Sequence, residues 1–204
     1  MVRESSQKAR ILRVAAELFA EHGYHGTGMS QLEAAVGLQR GALYHHIGSK
    51  EALLFEISTS QLRLMVDAAH DIEARTEDPE ERLRELARTL MENVADHVLE
   101  WTVHYRDFNA LTGQRRDTML DLRKQYEQVW LRALNAGVAK GKFKKSPDPV
   151  ILKGILGMFN YSYVWLKREA ALPPRAVADV FCDTFLAGIR QDAPSWGSAS
   201  SAGG

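Results

Sequence analysis

Apolar residues recur along this chain at intervals of three and four, which is the period of a helix with one buried face. Ile11, Ala15, Leu18 and Phe19 make the first such stripe, and Gly23 ends it as a C-terminal cap. Residues 1–6 are expected to fray, with Ser5 or Ser6 capping this helix. Leu32 and Val36 lie one helical turn apart on a second, short helix. Gly37 supplies the backbone freedom for a sharp turn, and Leu38 fills the angle that follows. A third helix runs from about Gln39 to Ile47, with Leu43 and Ile47 pointing one way. Gly41, Tyr44 and His45 point the other way, flanked by Arg40. The whole pattern predicts an all-α fold of about nine helices.

After Lys50 a long helix, capped by Ser49, carries Leu53, Leu54, Ile57, Leu64, Met65, Ala68 and Ile72. It meets no glycine or proline before Thr76, so it can act as a lever between two domains. The clearest boundary is Thr76 to Glu81: Asp78 as N-cap, Pro79 at the first helical position and Glu81 at the third complete an Asp version of the capping box. The next helix places Leu83, Leu86, Leu90, Met91 and Val94 on one face. Residues 114–140 form another, with Met119, Leu122, Tyr126, Val129, Trp130, Ala133 and Leu134 inward and Arg115, Arg116, Arg123, Lys124 and Arg132 outward. Those charges serve solubility or receive an anionic ligand at a pocket mouth. Lys140 to Lys145 reads as a basic, solvated helix end. Pro147-Asp148-Pro149 opens a helix to about Arg168, apolar on nearly all sides, and Pro173-Pro174 opens the last, striped by Val177, Val180, Phe181, Thr184, Phe185 and Ile189. These two helices are expected to bury one face on their own domain and the other against a second copy, making a homodimer. The reading divides the chain into 1–50, 51–192 and a low-complexity tail, 193–204, expected to be disordered.

Composition changes this picture only slightly. A chain of 204 residues, 45% hydrophobic, can bury a substantial core. Net charge is zero, and residues 1–53 hold six Lys or Arg against five Glu, a weak electrostatic footprint for a nucleic-acid binder. The single cysteine, Cys182, excludes an intrachain disulfide and fits a reducing cytoplasm. Met1 to Arg13 is polar and charged, unlike a leader, and the apolar run interrupted by Lys153 and Asn160 is too short and polar for a bilayer. No membrane partner is expected.

Candidate chemistry lies in three places. The outer face of the third helix carries a guanidinium, an aromatic hydroxyl, an imidazole and a glycine, groups that contact phosphates and base edges. By spacing alone an ordinary helical hairpin is equally admissible. Trp101, His104, Tyr105, Phe108 and Asn109 read singly as packed core and together as a pocket wall, which Tyr126 and Tyr163 extend. His97, Glu100 and His104 share a helix face, but no second cluster supports a zinc site, and no metal is expected. No nucleophile set beside a base and no phosphate-binding glycine loop is evident, so neither catalysis nor a cofactor is expected. A helical carrier or enzyme remains the alternative of another class.

The run Leu43-Tyr44-His45-His46-Ile47 followed by Ser49-Lys50-Glu51-Ala52-Leu53 resembles the end of the DNA-binding domain of the TetR family of one-component repressors. Ile11 to Gly26 resembles that family's first helix and the Gly-Tyr-x-Gly-Thr approach to its second. The resemblance implies a DNA-binding head, a ligand-binding and dimerisation domain, and operator DNA and a small hydrophobic effector as partners. By position it implies recognition contacts from Arg40, Gly41, Ala42, Tyr44 and His45, with Thr27, Ser30, His46 and Lys50 nearer the phosphates. Gly28 stands where the family often has a capping Ser or Thr, and Glu33 where it often has alanine. Gly28 makes the weaker cap, and Glu33 bears on how closely the second helix packs on the first. Asp78 to Leu83, the Tyr126 to Phe143 helix end and the surroundings of Trp165 are similar to the branch linked to fatty-acid and steroid breakdown. That similarity implies an acyl-CoA effector with its tail among Trp101, Tyr105, Phe108, Trp130 and Phe159. An uncharged hydrophobic drug is the rival effector.

Overall fold

A computed structural model of the chain describes residues 2–144, 148–166 and 171–192. The described residues form nine α-helices: α1 (Val2–His22), α2 (Met29–Val36), α3 (Arg40–Ile47), α4 (Lys50–Arg75), α5 (Pro79–Asp96), α6 (Val98–Asp107), α7 (Gly113–Ala139), α8 (Asp148–Asn160) and α9 (Pro174–Ile189). Turns of 3₁₀ helix follow α6 at Phe108–Ala110 and α8 at Tyr161–Val164. The chain divides into two compact units, Met1–Asp67 with Asn93–Tyr126, and Ala68–Glu92 with Glu127–Gly204. Helices α4, α5 and α7 contribute to both. The first unit therefore holds α6 and the start of α7 together with the three N-terminal helices.

In the first unit Ile11, Ala15 and Phe19 of α1 are buried together with Leu32, Val36, Leu43 and Ile47 of the two short helices. Gly37 is left-handed at φ 69°, which lets its N–H reach back 2.9 Å to the Glu33 carbonyl and end α2. The Arg10 guanidinium also donates to the Val36 carbonyl, so α1 closes the end of α2. Gly26 is required by close approach, since a Cβ there would lie 2.3 Å from the His22 carbonyl oxygen. Ser49 caps α4 as expected, its Oγ accepting the Ala52 N–H at 3.0 Å. Two expectations change. Helix α1 already begins at Val2, so positions 5 and 6 fall inside it and not ahead of its first turn. Leu64 faces outward at 53% exposure, while the polar Ser58, Thr59 and Gln61 are buried at the middle of α4.

In the second unit Leu83, Leu86, Leu90 and Met91 are buried along α5. Arg84 and Arg88 reach from α5 to Asp183 and Asp179 of α9, at 2.7 and 2.8 Å. Asp78 caps α5 by accepting the N–H groups of Glu80 and Glu81, both at 3.0 Å. The Glu81 carboxylate receives Arg88 at 3.1 Å instead of returning to the cap, so only half of the expected capping box forms. Beyond α7 the chain folds back so that the Phe143 ring covers Gly137. It then pairs briefly with the end of α9, Lys144 N–H to Ile189 O and Gln191 N–H to Lys142 O. Helix α8 ends at Asn160, earlier than its apolar pattern predicts, and passes into the 3₁₀ turn. Arg168, Lys145, Pro147 and the tail from residue 193 lie outside the described residues. Among the described residues no helix is long and apolar enough to cross a membrane.

Candidate nucleic-acid interface and ligand wall

Helix α3 is held by its inner residues Leu43 and Ile47, both buried. Burying those two fixes its rotation, and Arg40, Gly41, Ala42, Tyr44 and His45 are consequently exposed, Tyr44 by 39%. Ser30 in the first turn of α2 is exposed as well, and His46 is half-buried. A Cβ on Gly41 would meet nothing within 4 Å, so this face is open to a close-approaching surface.

Thr27 departs from the phosphate-facing role that the resemblance implied. It is 1% exposed, and its hydroxyl donates to the carbonyls of Leu18 at 3.2 Å and Gly23 at 2.9 Å. A hydroxyl committed inward to two carbonyls is not offered to a phosphate; it holds the turn between α1 and α2. Gly28 starts α2 without a side-chain cap, but Gln31 Oε1 accepts the Gly28 N–H at 2.7 Å and so supplies the reciprocal half. Glu33 does not loosen α2, whose Leu32 and Val36 stay buried. It accepts Arg40 Nε at 2.8 Å and ties the first residue of α3 to α2, which holds the Arg40 pKa above its ordinary value. Lys50 lies half-buried with its ammonium 4.3 Å from the centre of the Tyr24 ring, and burial lowers its pKa. Lys8 pairs with Glu56 at 2.7 Å. Most cations of this region are therefore already engaged within the protein.

The aromatic residues assemble as two groups. In the first unit Trp101 stacks on Tyr105 at 5.6 Å, and His104 meets both rings edge-on at 5.2 and 4.8 Å. The Arg123 guanidinium lies 4.3 Å from the Phe108 ring centre and 5.8 Å from that of Tyr105. Tyr126 is buried in the same unit, whereas Asn109 is exposed. Trp130, Phe159 and Tyr163 belong to the second unit, where Trp130 and Phe159 are buried with ring centres 5.7 Å apart and Phe181 and Phe185 close around Phe159.

A buried polar chain backs the first group, and periodicity alone did not reveal it. His104 Nδ1–H donates to the Ser58 carbonyl at 2.8 Å, and Nε2 accepts from Arg123 at 3.2 Å. Burial, and then the neighbouring guanidinium, push the His104 pKa down to about 4, so the ring is neutral with its proton on Nδ1. Trp101 Nε1 donates to Asn93 at 2.8 Å, and Asn93 donates to Gln61 at 3.0 Å. Ser58 Oγ is buried with no hydrogen-bond partner among the described residues. The signal for this chain was present in Ser58, Thr59 and Gln61, three polar residues interrupting the apolar face of α4. Arg123, read as an outer charge, in fact turns inward over the aromatics.

His104 is also the reason that the His97, Glu100 and His104 triplet forms no metal cluster. Both of its ring nitrogens are committed, and His97 stands outside α6 as its N-cap. Among the described residues no three His, Cys, Asp or Glu are grouped to hold a metal ion.

The wall and the head are tied within the first unit. Arg106, next to Tyr105 on α6, donates to the carbonyls of Phe19 and Ala20 at the end of α1. In the second unit Val150, Tyr161, Val164 and Trp165 are exposed along α8 and its 3₁₀ turn, and Val180 along α9. Val150 is 66% exposed, and a Cβ at Gly154 or Gly157 would meet nothing within 4 Å. An apolar face of this extent with small residues in it suits helix–helix contact.

Comparison with known proteins gives two family matches. Residues 11–57 match the family described as bacterial regulatory proteins, tetR family, and residues 76–189 match the tetracyclin repressor-like C-terminal domain. The chain is 27% identical over 190 residues to the HTH-type transcriptional repressor KstR2 of Mycobacterium tuberculosis, covering 92% of this chain and 95% of the relative. It is similar in structure to the TetR family regulator PfmR from Thermus thermophilus, with a TM-score of 0.80, 30% identity, and 87% and 97% of the two chains covered. It is likewise similar to AibR, solved in complex with isovaleryl coenzyme A and operator DNA, with a TM-score of 0.78, 28% identity, and 87% and 97% covered.

Proposed function

We propose, from the premise that this chain belongs to the TetR family of bacterial regulatory proteins, that it is a cytoplasmic transcriptional repressor released from its operator by an acyl-CoA thioester. The observation that carries the DNA-binding half is the rotation of α3. Two buried residues turn Arg40, Gly41, Ala42, Tyr44 and His45 outward as one face of a size that fits a major groove. Because most nearby cations are engaged within the protein, a single head holds DNA weakly. A homodimer through the exposed faces of α8 and α9 would set two heads on half-sites about one helical turn apart and make the operator pseudo-palindromic.

The effector reading rests on the aromatic wall with Arg123 beside it, and on the likeness to a regulator solved with isovaleryl coenzyme A. The acyl chain needs apolar surface and the coenzyme's phosphates need a cation. Release requires that the ligand bind the DNA-free arrangement more tightly. Helix α6 is suited to transmit that difference, since Trp101, His104 and Tyr105 line the wall and Arg106 grips the end of α1.

A gel-shift on the DNA upstream of its own gene, challenged with CoA thioesters, matching free acids and uncharged drugs, tests the proposal. Release by a thioester and not by its free acid is expected; release by the drugs alone would transfer the site to uncharged ligands. Tyr44→Ala should remain dimeric and lose DNA binding, and undiminished binding by that variant would overturn the assignment of α3.

A further inference from the structure

A cleft of about 470 Å³ opens in the first unit between α4, from Glu51 to Arg63, and the start of α7, and shares no lining residue with the aromatic wall. Phe55, Arg63, Gln114 and Arg115 line it together with Thr112 and Glu51. Two guanidinium groups against one carboxylate leave the lining with an excess positive charge. The volume falls in the range of small-molecule sites.

The site already holds a carboxylate, and it is the protein's own. Glu51 Oε1 accepts both the N–H and the hydroxyl of Thr112 at 2.9 Å, and Oε2 accepts Arg115 at 2.8 Å. The Thr112 N–H, then its hydroxyl, are the main causes that hold the Glu51 pKa below its ordinary value. Three convergent donors at the start of a 27-residue helix form an anion site, and Glu51 fills it from α4. Beside it Arg63 pairs with no carboxylate among the described residues, and its guanidinium lies 5.6 Å from the Phe55 ring centre. An aromatic face, an uncommitted guanidinium and an oxyanion position adjoin in one cleft.

We propose that this cleft binds a small aromatic anion whose carboxylate or phosphate exchanges with Glu51 on Thr112 and Arg115, while Arg63 and Phe55 receive the rest of the ligand. Glu51 is in the first turn of α4, next to Lys50, so the exchange releases the tie between the first turns of α4 and α7 at the edge of the reading head. The site is independent of the acyl-CoA reading, because neither Arg63 nor Glu51 belongs to the aromatic wall.

Saturation-transfer NMR titrations of the full chain with benzoate, phenyl phosphate and the neutral benzamide test this, in the wild type, Glu51→Gln and Arg63→Gln. The anions should bind saturably and benzamide should not. Glu51→Gln weakens the internal competitor and should tighten binding about tenfold, and Arg63→Gln should weaken it about tenfold, the scale of one charge-assisted hydrogen bond. Saturation by phenyl phosphate alone would assign the site to phosphate esters, and by benzoate alone to carboxylates. Failure of both anions to saturate, or equal affinity in all three proteins, would overturn the proposal.

Discussion

Acidification should destabilise this protein through His104 before its carboxylates contribute. The ring is 2% exposed, donates from Nδ1 to Ser58 and accepts from Arg123 at Nε2, and its pKa falls to about 4. The unfolded chain binds the proton at the ordinary histidine value, so the neutral ring's contribution is complete above that value and is lost as pH falls from about 6.5 toward about 4. The linkage relation gives a loss of about 2 kcal/mol between about pH 7 and about pH 5. For a chain of this length that corresponds to a fall in Tm of roughly 4–8 °C. Glu51, Glu73, Asp78 and Glu80 have lowered pKa values, so their contributions are lost only at more acid pH. Urea unfolding of the wild type and His104→Gln across this window isolates the effect. The variant should be less stable at neutral pH but show a much flatter pH dependence. Parallel curves for the two proteins, or an imidazole that titrates near its ordinary value by NMR, would refute the reasoning.

Other outcomes follow from single contacts. Gly137→Ala would set a Cβ 1.9 Å from the Phe143 ring, so the buried ring must move; chemical denaturation should show a loss of about 1–2 kcal/mol, overpacking outweighing the gain in helix propensity. Gly28→Ser meets only Gln31 Oε1 at 3.7 Å and supplies the missing cap, so thermal melts should show a gain of a few tenths of a kcal/mol. Burial pushes the Cys182 thiol up to about 12, and a thiol reagent should label it only after unfolding. Operator binding should depend shallowly on salt, with no more than about six phosphates neutralised per protomer, measured as the slope of log affinity against log salt.

The period of the apolar residues was enough to outline the helices and several of their ends. Gly37, Ser49, Asp78 and Pro79 act locally, through backbone freedom, a capping oxygen or a fixed φ, so their effects do not depend on the rest of the fold. The outer face of α3 was equally legible, because burying Leu43 and Ile47 determines where the residues between them point. Long polar side chains were not legible in this way. Arg123 turns inward onto His104 and Phe108, Glu33 finds Arg40, Glu51 finds Thr112, and Thr27 spends its hydroxyl on the end of α1. Periodicity assigns a residue to a side of its helix, and a flexible side chain reaches several neighbours from that side. Which one it meets, and so which charges remain for DNA or a ligand, is decided by packing between segments distant in the chain.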